Sequence, residues 1–174
     1  HGRLHPLRHL DRWRCLMKFY CASKVWHAPQ WRDAQDRGYP ITSRWIHYDD
    51  DSDIVLNRKG ELWQHCLEDV TAADAVIIYC GSREEEQRGA VMEAGHAMGQ
   101  GKPVYCINSC KTFSPCSISD VAFTHHPLWN WVRPGEWLDF WEGVVEAHLQ
   151  MLTWHPGIVA HKEQPGYYAG KPVY

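Results

Sequence analysis

The chain has 174 residues, 44% of them hydrophobic, and a formal net charge of -3. That length supports one ordinary domain with its own core. The near-neutral balance argues against a nucleic acid polymer or an anionic membrane as partner, and no apolar run approaches the roughly 18–20 residues that cross a bilayer.

Residues 1–16, HGRLHPLRHLDRWRCL, are rich in Arg and His and lack the apolar centre of a secretory signal. Met17 directly precedes a strand-like segment. Residues 1–16 therefore read as an extension outside the native domain, the alternative being a short N-terminal helix packed on it. KFYCAS (18–23) is a short apolar-aromatic run ending in small residues, a first strand. HAPQWRDAQDRGY (27–39) is polar with helical character and stops at Gly38 and Pro40. ITSRWIHY (41–48) alternates and carries β-branched and aromatic residues, which predicts a second strand. DDDSD (49–53) reads as a solvated loop.

GELWQHCLEDVTAAD (60–74) is helical, with Leu62, Cys66, Val70 and Ala73 recurring on one face. AVIIYCG (75–81) is a continuous apolar run closed by Gly, the pattern of a strand buried on both faces of a parallel sheet. The charged segment SREEEQR leads into a helix over 89–100, stopped by Gly99 and Gly101, and KPVYCIN (102–108) is the next buried strand. A helix around 136–152 closes the domain, and residues 153–174, with Pro156, Pro165, Gly166, Gly170 and Pro172, form a tail. Strands alternating with helices predict a doubly wound, mostly parallel α/β sheet. Ligands bind such sheets beyond the carboxyl ends of the strands, so the loops after Ser23, Tyr48, Gly81 and Asn108 are expected at one edge.

Seven cysteines, several within strand-like or helical runs (Cys21, Cys66, Cys80, Cys106), fit reduced, buried thiols of a cytoplasmic protein. Cys106, Cys110 and Cys116, with His125 and His126 beyond, lack the paired C-x2-C spacing of structural zinc, and no metal is expected. Ten tryptophans point to aromatic pocket walls or a subunit interface. One residue stands out: Glu93 sits among Val91, Met92 and Ala94 on the early turns of the 89–100 helix.

Four segments in register, FYCAS, TSRWI (42–46), LEDVTAADAVIIY and RGAVMEAGHAMGQGKPV, resemble the nucleoside 2-deoxyribosyltransferase-like proteins, a family that includes deoxynucleotide N-glycosidases. The likeness runs from about Met17 to Val132. It implies a flavodoxin-like, Rossmann-like sheet of five strands, cleavage of an N-glycosidic bond without a cofactor, and a homo-oligomer in which a neighbouring subunit completes the pocket. The family's nucleophile falls on Glu93, whose carboxylate would attack C1′ of a 2-deoxyribose and form a glycosyl-enzyme that a second base or water resolves. Tyr20 falls where the transferases carry a tyrosine that orients the nucleophile.

Around Glu93, the helix dipole is expected to keep the carboxylate ionised, and small neighbours at Gly89, Ala90 and Gly95 to admit a sugar. Ser23 ends the first strand at the binding edge. Trp45 offers a face for a base and Arg44 a partner for a phosphate or carboxylate. On strand alternation these two take opposite faces. Arg88 is a second candidate for a 5′-phosphate at the helix mouth. The resemblance also has two departures. Cys66 stands where the family carries its second catalytic carboxylate, leaving Asp69, three residues on, as the candidate replacement. Gln87 stands where Asp or Ser is frequent. The expected activity is base exchange or hydrolysis on 2-deoxyribonucleosides or their 5′-monophosphates. A nucleotide-sensing module without chemistry and an NAD-cleaving enzyme are the alternatives.

Overall fold

The computed structural model describes residues 17–80, 87–108 and 122–132. The expected extension over 1–16, the helix around 136–152, the tail, and Cys110 and Cys116 lie outside the described residues. Four strands, β1 (Phe19–Ala22), β2 (Ala75–Cys80), β3 (Val104–Asn108) and β4 (Trp129–Val132), form one sheet in that order. Every pairing is parallel, with Tyr20 opposite Val76, Ile78 opposite Cys106 and Val104 opposite Trp129. The helices are α1 (Ala28–Asp36), a single turn α2 (Asp53–Leu56), α3 (Lys59–Ala72) and α4 (Arg88–Gly99).

Strand alternation divides the core between the two faces of this sheet. On one face Tyr20, Ala22, Val76, Ile78, Cys80, Val104 and Cys106 pack with Cys66, Val70 and Ala73 of the α3 region and with Ala90, Ala94, Ala97 and Met98 of α4. On the other, Phe19, Cys21, Ala75, Ile77, Tyr105 and Ile107 pack with Ala28, Trp31 and Ala34 of α1 and with Ile41 and Ile46. Burial on both faces explains why β2 reads as an unbroken apolar run rather than an alternating one. Helices on both sides make three layers. Gly38 and Gly101, with φ of 90° and 77°, take the left-handed conformation just past α1 and α4, where a side chain would strain the turn.

The segment 41–48 differs from expectation. Ile41 makes a single parallel bridge to Phe19, and Arg44–His47 form a 3-10 turn instead of a strand. Side chains have displaced the ladder. The Ser43 hydroxyl accepts from the Cys21 N–H at 2.7 Å and donates to the Cys21 carbonyl at 3.1 Å, doing for the edge of β1 what a neighbouring backbone would do. The Arg44 N–H is drawn off to the Asp69 carboxylate at 2.8 Å. Arg44 and Trp45 are thus turn neighbours, not residues alternating across a strand. The acidic loop is exposed at Asp49, Asp50 and Asp51, but Asp53 opens α2. β4 was unforeseen; its signal is the short run WNWV beyond Pro127.

No helix among the described residues is long and apolar enough to cross a membrane. Ile77 lies in the middle of β2, fully buried between β1 and β3. Ile77→Ala is expected to cost about 2–5 kcal/mol, read as a lower urea midpoint at an unchanged slope; a loss under about 1 kcal/mol would show that the core there collapses around the deletion.

Candidate functional site

α4 buries Ala90, Glu93, Ala94, Ala97 and Met98, the i, i+3, i+4, i+7, i+8 stripe of a helix that packs one face on a sheet. Glu93 occupies an apolar position of that stripe and is only 7% exposed. It carries a carboxylate into the core because a partner is waiting. Tyr20, fully buried on β1 and facing the same side, donates its phenol to Glu93 Oε1 at 2.7 Å across the sheet–helix interface. Cys66, brought in by α3, is buried in the same cluster as Tyr20.

The electrostatics follow from burial. Desolvation pushes the Glu93 carboxyl up to about 7, with the Tyr20 hydrogen bond pulling it back. The expectation that a helix N-terminus keeps Glu93 ionised does not hold: α4 begins at Arg88, so Glu93 lies beyond the first turn, where the dipole is effective. Burial, then the Glu93 charge, raise Tyr20 well above the usual phenol range. Burial, then Glu93, push the Cys66 thiol up to about 12. Near neutrality Tyr20 is therefore a neutral donor and Cys66 a neutral thiol, while Glu93 stands near half-ionisation.

The other candidate residues distribute around this cluster. Asp69 is buried on the same face of α3 as Cys66, but its carboxylate is held by Arg44, through Nε at 2.7 Å and the backbone N–H. Arg44 also binds Glu68 at 2.7 Å and the His65 carbonyl, so it clasps the 44–47 turn to α3. Ser23 accepts the Trp31 indole N–H at 2.8 Å and fixes α1 against β1. Trp45 donates its indole to the Cys21 carbonyl at 2.8 Å and packs against both cores. At the start of α4, Gln87 is buried, and Arg88 and Gly89 are exposed. A Cβ built at Gly89 or Gly95 would meet nothing within 4 Å, so packing among the described residues requires neither glycine.

The structure thus brings together Tyr20, Cys66 and Glu93, from β1, α3 and α4. That Cys66 lies buried in one cluster with Tyr20 follows the i, i+4 spacing with Val70 on a helix that faces the sheet. Ser43 was missed, although a Thr-Ser pair at a strand edge is a candidate for side-chain bonds to backbone. Among the described residues no group of three His, Cys, Asp or Glu could hold a metal ion. No model of a known protein family matches the chain, and no curated protein matches it.

A carboxyl whose proton leaves near pH 4.5 in the unfolded chain and near 7 in the fold binds more protons folded than unfolded across that window. Stability therefore falls as pH rises through it. Glu93→Gln keeps an acceptor for Tyr20 and removes the buried charge. It is expected to raise the Tm at about pH 8 by the equivalent of roughly 1–3 kcal/mol and to leave it nearly unchanged at about pH 5. Equal effects at both pH values would contradict the raised carboxyl.

Proposed function

We propose that this protein cleaves or transfers the N-glycosidic bond of 2-deoxyribonucleosides or their 5′-monophosphates, with Glu93 as nucleophile. The observation that carries the reading is the Tyr20–Glu93 hydrogen bond at 2.7 Å in a buried setting. It pairs the two residues that the resemblance to the nucleoside 2-deoxyribosyltransferase-like proteins assigns to nucleophile and orienting phenol. The arrangement of elements supports it too. With the segment at Ile41 counted as a rudimentary strand beside β1, the parallel order becomes 2-1-3-4-5, that of a flavodoxin-like fold. Tyr20 stands two residues before the carboxyl end of β1, the side from which such folds take ligands.

In this reading an ionised Glu93 oxygen attacks C1′. The C1′–N bond breaks, its electron pair goes to the departing base, and the base takes up a proton. Water, or a nitrogen of a second base, then attacks C1′ and releases the carboxylate. Tyr20 fixes the rotamer of the nucleophile, and its hydrogen bond keeps part of the carboxyl ionised at neutral pH. The reading requires the sugar to reach the small edge of Glu93 that remains uncovered.

Chromatography of free base after incubation with a panel of deoxynucleosides, their 5′-monophosphates and NAD tests it. Release of base from a deoxy substrate, lowered at least about a thousandfold by Glu93→Ala, is expected. Release from NAD alone would move the substrate class to ribosyl compounds. kcat/KM should rise with pH through about 7, because the nucleophile must lose its proton. Tyr20→Phe, which deletes a donor to the charged form, should move that midpoint upward by roughly half to one pH unit and lower kcat. A flat profile would remove Glu93 from the chemistry.

A specific observation favours a second reading, a nucleotide-binding module without turnover. Asp69, the candidate replacement for the family's second acid, is engaged by Arg44 rather than by Glu93. Ligand binding across the same panel with no base released would decide for it.

A further inference from the structure

We propose that the outer face of α4, with the groove beside it on α3, docks a second copy of this chain in a weak, reversible two-fold dimer. Such a dimer is independent of the glycosidic-bond reading.

A helix that packs one side on a sheet ordinarily turns a charged side to water. α4 does not. Its only carboxylate, Glu93, is on the buried side, and past Arg88 at its start the exposed positions are Gly89, Met92, Gly95 and Gly99. Met92 stands 61% exposed, the most exposed large hydrophobic side chain among the described residues. A glycine inside a helix destabilises it relative to alanine, and a Cβ at 89, 95 or 99 would meet nothing within 4 Å. Packing among the described residues therefore gives no reason for these glycines or for the uncovered methionine. Close approach of a backbone from outside gives one.

Beside α4 lies a groove of about 430 Å³, lined by Gln64, Leu67, Glu68, Thr71 and Ala72 of α3 and by His96 of α4. Thr71 Oγ1 lies 3.2 Å from His96 Nε2, and Gln100 bonds both, so the two walls are tied to each other. The one charged carboxylate in the lining, Glu68, is paired with Arg44 at 2.7 Å. One face thus carries a projecting apolar side chain and a cleft, which is what a two-fold interface requires, because each copy must supply both. A face with its charge compensated also lets two chains of net charge -3 meet without setting like charges opposite, whereas a strongly charged partner finds no counter-charge there. In an antiparallel crossing centred on Gly95 and His96, Met92 of each copy falls opposite Gly99 of the other. The size of the contact sets its strength. α3 and α4, of 14 and 12 residues, run about 21 and 18 Å and span about 20 Å side by side. The footprint is about 400 Å² a side, in the class of weak, reversible association.

Sedimentation equilibrium of the full chain over a wide range of concentration tests it. A monomer–dimer equilibrium with half-association between about 10 and 500 µM is expected. Met92→Glu, which sets two like charges across the contact, should weaken the dimer at least about tenfold. Gly95→Gln separates docking from folding. Glutamine is the better helix former, so the variant should unfold at a higher urea midpoint as a monomer while its dimer is weakened at least about tenfold. Trp26→Ser, which removes the exposed tryptophan of the turn after β1, should leave the dimer unchanged. A monomer at every concentration overturns the proposal and gives the face to another segment of this chain or to a different protein. A dimer that survives both Met92→Glu and Gly95→Gln overturns it too, as does one lost in Trp26→Ser alone.

Discussion

A carboxylate on the buried stripe of α4 is the constraint around which this fold is arranged. An ionised side chain taken out of water costs several kcal/mol unless it is hydrogen-bonded, and α4 can lie on the sheet because β1 presents a donor at the point where Glu93 arrives. The small residues on the same stripe, Ala90, Ala94 and Ala97, let the helix axis come close to the strands. That closeness brings a phenol on β1 within hydrogen-bond distance of a helix two crossovers later in the chain. Packing and polarity here are one arrangement: loosening the helix would relieve the desolvation of Glu93 and lengthen its bond to Tyr20.

The edge of β1 sets the other half of the geometry. Tyr20 can serve Glu93 only if β1 is held rigidly from the side that lacks a full neighbouring strand. Ser43 and Trp45 do this through the Cys21 backbone, and the bridge at Ile41 does it through Phe19. Arg44 then ties the turn that carries them to Asp69 and Glu68 of α3, the helix that also bears Cys66. With the Arg44 side chain 43% exposed, the ion pairs are screened, and their worth lies in geometry more than in energy. Arg44 and Trp45, read from sequence as ligand contacts, also form part of the frame that keeps the Tyr20 strand and the Cys66 helix in fixed relation.

How much could be read in advance follows from the range of the forces involved. The runs of β2 and β3 and the stripe of α3 were legible because burial on a sheet leaves a periodic trace in local sequence. Glu93 was legible as an anomaly in such a trace. The fate of Ile41–Tyr48 was not, because β-branched and aromatic alternation is the trace of a strand, and the competitors that won, Ser43 on Cys21 and Asp69 on Arg44, act across 22 and 25 residues. The state of the Glu93 proton was hidden for the same reason. Position in a helix suggested the dipole, whereas the depth of burial that decides the matter exists only once β1, α3 and α4 have met.

The chemistry available to this cluster is narrower than the presence of three polar side chains implies. Tyr20 and Cys66 are both held protonated by burial and by the neighbouring negative charge, so neither can act as a base near neutrality. Glu93 alone can exchange a proton there, and it can do so in either direction because its carboxyl stands at about 7. A group so placed is suited to attack when ionised, and the same desolvation that raises its proton affinity strengthens it as a nucleophile by stripping water from its lone pairs. The Tyr20 hydrogen bond works against that gain, since it occupies electron density that would otherwise attack.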